Sequence, residues 1–338
     1  MKHLKLLLVL VIAALMVAAC QPAAPAAEAP AEDETPLFYG AYATAIEEPW
    51  DGVIHQALQK AADAGDVRYE YTDDIGYSGD MERVLREIAE ESKPAAIFGD
   101  AFGNEEAVRR VAAEYPEIAF AFGSGLGPAE PNMAVFDNWI HEPAYLCGLI
   151  AGGVSETGVI GVVGGMPVPE VNRIVNAFID GVKEVNPDAE VLVSFINSWF
   201  DPASAKEAAL AQIDAGADVL FAERFGVIEA AVENGLYSFG NMSDQYELGP
   251  DSVLTGPVWN MEPTVEYVID QVKAGSFTGQ DLKDFSMVAK GGAYLADFHG
   301  MEENIPADVL ELVKQREDEI EKGLYRVNID EATPAGSN

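Results

Sequence analysis

Cysteine and histidine are scarce in this chain. Its 338 residues include two cysteines, Cys20 and Cys147, and four histidines. Two cysteines cannot build the disulfide framework of a small secreted domain, and the histidines show no paired spacing of the kind that binds zinc. Cys147 stands in the apolar stretch AYLCGLIAG, where a cysteine usually serves as a small buried hydrophobic side chain. We therefore predict neither a metal site nor a disulfide-based fold.

Basic residues are also few. Lysine and arginine together number 20 against 57 aspartates and glutamates, and the formal net charge is -37. A surface of this charge repels phosphate backbones and anionic lipid headgroups. We therefore predict no nucleic-acid partner, and any attachment to a membrane must come from another feature of the chain.

The motifs of several enzyme classes are absent. The sequence contains no G-x-S-x-G, no phosphate loop ending in G-K-[ST] and no H-E-x-x-H. Gly161, Gly164 and Gly165 follow a predicted strand, but their spacing differs from the dinucleotide fingerprint and suits a tight turn from strand to helix. We predict a protein that is not an enzyme and that uses no cofactor. An extracellular hydrolase stays an alternative, although the chain offers no convincing pair of nucleophile and base.

The first 20 residues, MKHLKLLLVLVIAALMVAAC, have the order of a secretory signal. Two lysines precede an apolar run of about 14 residues, which is shorter than the roughly 20 that a membrane-spanning helix needs. The closing VAAC resembles the bacterial lipobox, in which the cysteine thiol receives a diacylglycerol. We predict a lipoprotein signal peptide over residues 1–19 and lipidation of Cys20, so that only a lipid holds the mature chain at the outer face of the cell membrane. An ordinary signal peptide with a chance cysteine stays open.

Proline, alanine and acidic residues fill the segment that follows, up to residue 35. No side chain in it after Cys20 is apolar and large enough to build a core. We predict a disordered tether over residues 20–35, which lets the folded body stand away from the membrane.

Short apolar runs alternate with amphipathic stretches through the rest of the chain. Such alternation is typical of an α/β fold with parallel sheets that helices cover on both faces. Two open sheets of about 130 residues each fit the usual size of domains better than one large sheet. We expect the break between them near residues 138–143. The predicted strands lie at 37–42, 67–72, 95–99, 118–123, 133–136, 159–165, 191–196, 218–222, 236–240 and 252–256, and the predicted helices at 50–64, 81–91, 104–114, 142–154, 169–185, 202–214, 226–234 and 262–274.

Tryptophans and polar residues follow the carboxyl ends of the predicted strands, where open parallel sheets bind ligands. The flat face of an exposed tryptophan suits a planar ring, and carboxylates and carboxamides can bind its polar edge. Packing within loops, helix capping and turn formation are the alternatives for each of them. The tryptophans are Trp50, Trp139, Trp199 and Trp259, and the polar residues include Asp100, Asn104, Asp137, Asn138, Asn172, Asn197 and Asp244.

Several separated motifs resemble one family of proteins. They are VIGVVGGMPVPEVNRIVNAFIDGVKEVNPDAEV, FDNWIHEPAYLCGLIAG, SWFDPASAKEAALAQIDAGADVLFA, GNMSDQ, DSVLTGPVW, MVAKGGAYL and KQREDEIEKGLYRV. In this order they are similar to the basic membrane protein family of substrate-binding lipoproteins, which serve ABC importers and include purine nucleoside receptors. The resemblance covers about residues 37–328.

The resemblance implies a type I periplasmic-binding-protein fold, in which two Rossmann-like lobes with parallel sheets are joined by a three-crossing hinge. We expect the crossings near residues 138–142, 254–262 and 286–294. The N-terminal lobe would then hold residues 36–140 and 258–288, and the C-terminal lobe residues 141–257 and 289–330. The implied partners of this monomer are a small-molecule ligand and ABC permease subunits, and no reaction is expected on the chain itself. A sensory lipoprotein that signals to a membrane kinase is the alternative.

In nucleoside-binding members of the family, aromatic rings stack on the purine while an acidic residue and a lysine hold the ribose. Lys290 resembles that lysine, but Met242 stands where the acid is usual. A thioether is a weak acceptor for a diol, so we favour a nucleobase such as adenine over a nucleoside, with another flat heterocycle as the alternative. We expect Trp50, Trp199 and Phe102 or Phe225 to form the ring slot. The complete set of predicted ligand-binding residues is Glu47, Trp50, Asp100, Phe102, Asp137, Asn138, Asn172, Trp199, Phe225, Asp244 and Lys290.

Overall fold

A computed structural model describes residues 35–335 of the chain. The predicted signal peptide, the lipidation residue Cys20 and the tether up to residue 34 lie outside the described residues. The element order of the described part is an alternation of strands and helices that ends in a long helix.

The first sheet has five parallel strands in the order β2-β1-β3-β4-β5. They are β1 (Leu37–Ala41), β2 (Arg68–Thr72), β3 (Ala96–Asp100), β4 (Ala119–Gly123) and β5 (Met133–Phe136), and the helices between them are α1 (Pro49–Asp63), α2 (Met81–Glu87) and α3 (Glu105–Glu114). A π-helical turn, Ile88–Ser92, extends α2. Every residue of β3, β4 and β5 is buried, as expected for parallel strands covered on both faces. We call this sheet with its helices the first lobe.

The second sheet repeats the same arrangement with strands in the order β7-β6-β8-β9-β10, all parallel. Its strands are β6 (Val159–Gly164), β7 (Glu190–Phe195), β8 (Val219–Ala222), β9 (Tyr237–Phe239) and β10 (Val253–Thr255), with helices α4 (His141–Val154), α5 (Pro169–Val185), α6 (Pro202–Asp214) and α7 (Val227–Asn234). We call this sheet with its helices the second lobe. Two parallel sheets flanked by helices confirm the predicted α/β fold class.

Helix α4 packs closely against α5. Its apolar residues are buried around most of its circumference, and Cys147 is a free, fully buried cysteine within it. Gly148 and Gly181 make the close approach possible, because a Cβ on Gly148 would lie 2.1 Å from the carbonyl oxygen of Phe178. The two helices therefore form a solid layer beside the second sheet.

A short antiparallel ribbon of two strands follows the second sheet in the chain. It consists of β11 (Pro257–Trp259) and β12 (Ala293–Leu295), with α8 (Glu262–Lys273) between them and α9 (Ala307–Glu321) after them. The sequence did not predict the ribbon or α9. Helix α8 faces the first lobe, where Lys60 of α1 pairs with Glu262 at 2.6 Å. This contact supports our proposal that residues 258–288 belong to the N-terminal lobe. Arg316 of α9 pairs with Glu184 of α5 at 2.7 Å, which supports our proposal that residues 289–330 belong to the C-terminal lobe.

A continuous apolar core runs through both lobes and includes residues of α1, β5, α4, α5 and the ribbon. None of the helices within residues 35–335 is both long and apolar enough to cross a membrane.

Candidate functional site

A cavity lies at the carboxyl ends of strands from both sheets, and the space between its walls, part of which is open to solvent, is about 370 Å³. The first lobe contributes residues at or after the ends of β1, β2, β3 and β4, and the second lobe contributes residues after β6, β7 and β8. This is the position where open parallel sheets bind ligands. The lining residues are Thr44, Glu48, Trp50, Asp51, Tyr77, Asp100, Phe102 and Ser124 of the first lobe and Glu170, Trp199 and Arg224 of the second.

Glu48 connects the start of α1 to the second lobe. Its side chain caps the helix, with Oε2 accepting hydrogen bonds from the backbone N–H of Trp50 at 2.8 Å and of Asp51 at 3.4 Å. Its other oxygen, Oε1, accepts a hydrogen bond from Nη1 of Arg224 at 3.1 Å. One buried carboxylate thus fixes the end of a helix in one lobe and a guanidinium group of the other.

Arg224 is almost completely buried and uses its donors within the protein. Nε and Nη2 donate to the carboxylate of Glu223 at 2.8 and 2.7 Å, and Nη1 also donates to the carbonyl oxygen of Trp199 at 3.1 Å. The guanidinium carbon lies 5.1 Å from the centre of the Trp199 ring. Arg224 therefore holds Trp199 in place from the backbone and from one ring face, while Glu48 and Glu223 balance its charge.

Aromatic rings from both lobes meet in the cavity. Trp199, after β7, contacts Phe102, after β3, edge to face at a centroid distance of 5.2 Å and an interplanar angle of 89°. Tyr77 also contacts Phe102 edge to face, at 6.2 Å. Edge-to-face contacts leave ring faces that a planar ligand can cover.

Trp50 contributes to the cavity from within the apolar core. Its ring stacks on Phe136 at 5.9 Å and lies 4.9 Å from Trp259, and only 7% of the residue is exposed. The absence of a side chain on Gly123 makes room for it, because a Cβ there would lie 1.8 Å from the Trp50 ring. Nε1 of Trp50 has no hydrogen-bond partner within the described part of the chain. Trp50 thus lines the cavity, but its ring is already packed against Phe136 and Trp259.

The pKa values of three carboxyl groups in the cavity are raised. Burial raises the pKa of Asp51 to about 7, although hydrogen bonds from Thr44 act against the shift. Burial and the nearby charge of Asp51 raise the pKa of Asp100. Burial, and after it the charge of Asp137, raises the pKa of Glu170 to about 8. At neutral pH the cavity therefore holds carboxyl groups close to the point of protonation.

Three predicted site residues lie outside the cavity lining. Two of them follow β5, where the chain leaves the first lobe, and the third lies in α5. Asp137 pairs with Arg173 of α5 at 2.6 Å. Nδ2 of Asn138 donates to Oε1 of Glu170 at 2.6 Å and lies 3.1 Å from the sulfur of Met242. Nδ2 of Asn172 donates to the carbonyl oxygen of Glu331 at 3.0 Å. These side chains connect β5, α5 and the C-terminal segment.

Four other predicted site residues lie away from the cavity. Glu47 is exposed, Phe225 contacts Phe200 edge to face at 6.1 Å, and Asp244 pairs with His299 at 2.7 Å. Lys290 is exposed, with its Nζ 5.2 Å from the ring centre of Phe285. Of the predicted set, the structure brings Trp50, Asp100, Phe102 and Trp199 together at the cavity.

Sequence reasoning missed much of the polar wall, including Glu48, Asp51, Tyr77, Glu170 and Arg224. The position of Arg224 could have been found from the sequence, because Arg224 follows the strand VLFA. The same strand-end position led to the prediction of Asp100, which ends the strand AIFGD. Within residues 35–335 no group of His, Cys, Asp and Glu is arranged to hold a metal ion. The wall is built for hydrogen bonding and ring contact.

Comparisons with known proteins agree with this geometry. The family model described as "ABC transporter substrate-binding protein PnrA-like" matches residues 43–319. A purine-binding protein of Brucella abortus is 32% identical over 281 residues, which cover 81% of this chain and 77% of that protein. A putative ABC transporter glucose-binding protein of Haloferax volcanii is 34% identical over 252 residues, which cover 73% of this chain and 64% of that protein.

Solved structures show the same fold. An ABC transporter solute-binding protein from Aeropyrum pernix superposes with a TM-score of 0.75 at 20% identity, over 87% of this chain and 94% of that chain. The cavity between two parallel sheets and a family match that spans most of the chain lead to one conclusion. The protein belongs to the Bmp family of PnrA-like substrate-binding proteins of ABC transporters.

Proposed function

We propose that this substrate-binding protein captures a purine-type ligand between its lobes, with a nucleobase such as adenine favoured over a nucleoside. The observation that carries the proposal is the meeting of Trp199 and Phe102, one ring from each lobe, at the wall of the cavity, beside carboxyl groups that can bind the polar edge of a base. A ring that stacks there gains about 0.5 to 1.5 kcal/mol beyond the effect of burial. The similarity to a purine-binding protein supports the same class of ligand.

The surroundings of Met242 favour a base without a sugar. Met242 is 1% exposed, and its sulfur lies 3.1 Å from Nδ2 of Asn138. Met242 therefore packs against Asn138 and offers a ribose no carboxylate at this position. Lys290, the counterpart of the ribose-binding lysine, lies 3.9 Å from Asp284 at the surface. Neither residue lines the cavity.

We further propose that the chain delivers its ligand to ABC permease subunits while a lipid on Cys20 holds it at the outer face of the cell membrane. Closure of two lobes on a ligand creates a surface that an open form does not have, and a permease can recognise that surface. Incorporation of labelled fatty acid into the full-length chain, and its loss in Cys20→Ala, would support the anchor. Equal labelling of both chains would contradict it.

A sugar is the second candidate, because a relative of similar identity is named as a putative glucose-binding protein. Aromatic faces and carboxylates also bind the apolar face and the hydroxyls of a sugar. The two candidates differ in what they need from Trp199, since a purine covers the ring with a flat conjugated surface.

Calorimetry on the purified protein with adenine, adenosine and glucose tests the proposal. We expect adenine to bind most tightly and Trp199→Ala to weaken its binding by more than tenfold, which corresponds to about 1.4 kcal/mol. Phe200→Ala is the matched control, because this neighbouring ring is 55% exposed and lies outside the cavity lining. Tighter binding of glucose, or equal adenine affinity in both variants, would contradict the proposal.

A further inference from the structure

The polar wall of the cavity has more free acceptors than donors. Oδ2 of Asp51 accepts from the backbone N–H and the hydroxyl of Thr44 at 2.9 and 2.6 Å. Its Oδ1 has no partner among the described residues, although Asp51 is only 2% exposed. Asp100 accepts from the backbone N–H of Phe102 at 2.9 Å and from the side chain of Ser124, and a carboxylate with these two bonds still has acceptor capacity. A buried oxygen without a partner is costly, so this wall is prepared for a ligand.

Arg224 does not offset this excess, because its three nitrogens all donate within the protein. Glu223 takes two of its hydrogen bonds, and Glu48 and the carbonyl oxygen of Trp199 share the third nitrogen. Two carboxylates already balance its single charge. Neutral donors or protons must therefore satisfy Asp51 and Asp100.

Like charges act on both aspartates from several elements. Glu48 at the N-cap of α1 and Asp73 after β2 act on Asp51, and Asp51 itself and Glu170 of the second lobe act on Asp100. Arg224 lies across the cavity and is neutralised by Glu48 and Glu223. Carboxylates that share a buried site cannot all ionise together. Burial also raises the pKa of Asp51 to about 7.

We propose that a protonated carboxyl of the Asp51–Asp100 pair recognises the amino edge of an adenine-type base. Oδ1 of Asp51 carries the proton and donates to the ring nitrogen N1, because Oδ2 already accepts two hydrogen bonds from Thr44. A carboxyl oxygen of Asp100 accepts from the exocyclic amine. This inference rests on the proposed purine site and adds the chemical class of the base. Hypoxanthine has the same shape, but it presents an N1–H donor and a carbonyl oxygen. Its N1–H would face the protonated Oδ1 of Asp51 and its carbonyl would face the Asp100 oxygen, so the site discriminates against it.

A proton therefore enters the complex when adenine binds at a pH at which the free carboxyl is ionised. Above about pH 7, where Asp51 ionises, each further pH unit should weaken adenine binding by about tenfold, because one proton is taken up per ligand. Hypoxanthine needs no added proton, since its N1–H can donate to a carboxylate. The preference for adenine over hypoxanthine should exceed tenfold at pH 6.5 and shrink as the pH rises.

The test is calorimetry with adenine and hypoxanthine from pH 6 to 8.5, in two buffers that differ in ionisation enthalpy. We expect uptake of close to one proton per adenine at pH 8 and none for hypoxanthine. Asp51→Asn and Asp100→Asn test which carboxyl group takes up the proton, because a carboxamide offers adenine one donor and one acceptor without titrating. At least one of them should bind adenine within threefold of the affinity at pH 6.5 and lose the pH dependence. Glu70→Gln, an exposed carboxylate on β2, should keep the original profile.

The outcomes separate the two proposals. Failure of both bases to bind at any pH would overturn the purine function and this inference with it. Adenine binding without proton uptake, or the same uptake with both bases, would overturn the inference and leave the purine site in place. Loss of adenine binding in both asparagine variants, with circular dichroism showing them folded, would also overturn it.

Discussion

Replacement of Arg224 by methionine should destabilise the protein strongly. Arg224 is 5% exposed in its side chain, and its partners Glu48 and Glu223 are 6% and 0% exposed. Methionine fills a similar volume but leaves two buried carboxylates without a cation. Breaking a buried ion pair from one side costs about 3 to 5 kcal/mol, because the remaining charge is uncompensated. The unfolding entropy is about 2.1 cal/mol/K per residue. For roughly 300 residues the melting temperature Tm should fall by about 5 to 8 °C.

The effect should depend on pH in a defined direction. Without Arg224, the pKa of Glu48, which burial already raises, rises further. A carboxyl with a raised pKa in the folded state contributes stability at low pH that is lost as the pH rises through that pKa. The free-energy loss caused by Arg224→Met should therefore be larger at pH 8 than at pH 5. Adding Glu48→Gln should restore part of the loss at pH 8, since it removes one of the uncompensated charges.

Urea denaturation at both pH values measures these free energies. Lys206→Met is the control, because the pair between Lys206 and Glu233 is partly exposed, at 32% and 57%. Exposed pairs contribute about 0 to 1 kcal/mol. A loss in Arg224→Met no greater than in the control, or no rescue by Glu48→Gln, would refute the reasoning.

Three further predictions concern helix packing, the sugar question and the buried acid. Gly148→Ala should lower the free energy of unfolding by about 1 to 3 kcal/mol, because the new methyl group would clash with the Phe178 carbonyl. This cost outweighs the better helix propensity of alanine. Gly127→Ala, which has open space around it, is the control and should change the free energy little in the same denaturation assay. Lys290→Ala should change the adenine affinity less than twofold by calorimetry, and a tenfold loss would return a ribose site to consideration. The wild type should lose up to roughly 4 kcal/mol of unfolding free energy by pH 8, because the raised pKa of Asp51 is about 7. Asp51→Asn should remove this loss, and parallel curves of unfolding free energy against pH for both proteins would contradict this.

The sequence was a good guide to the two sheets. The predicted strand 133–136 and helix 169–185 match β5 and α5, because long apolar runs and strong amphipathic patterns reveal their period. The ribbon of β11 and β12 has three residues in each strand, which is too short for any period to appear. Helix α9 is mostly charged and polar, with Val309, Val313 and Ile320 as its buried residues, so its apolar pattern was weak.

The candidate site was harder to predict, because contacts between distant segments decide it. Glu47 and Glu48 are neighbours, but only Glu48 caps α1 and reaches Arg224, which is 176 residues away in sequence. The strand-end rule correctly drew attention to Phe102 and Trp199, which line the cavity. The same rule drew attention to Phe225, which turns to Phe200. Position after a strand limits where a residue lies, whereas the path of the loop decides which way its side chain points.

The acidity of the chain extends from its surface into the cavity, and this determines which ligand charges the site accepts. Arg224 supplies the cation among the described residues that line the cavity, and Glu48 and Glu223 already neutralise it. A phosphate group would therefore enter a space lined by Asp51, Asp100 and Glu170 without a free positive charge, and its desolvation would find no compensation. A neutral base with N–H groups meets acceptors on the same wall. The buried ion pairs of Arg224 thus do two things, since they join the lobes and remove the one charge that could attract a nucleotide.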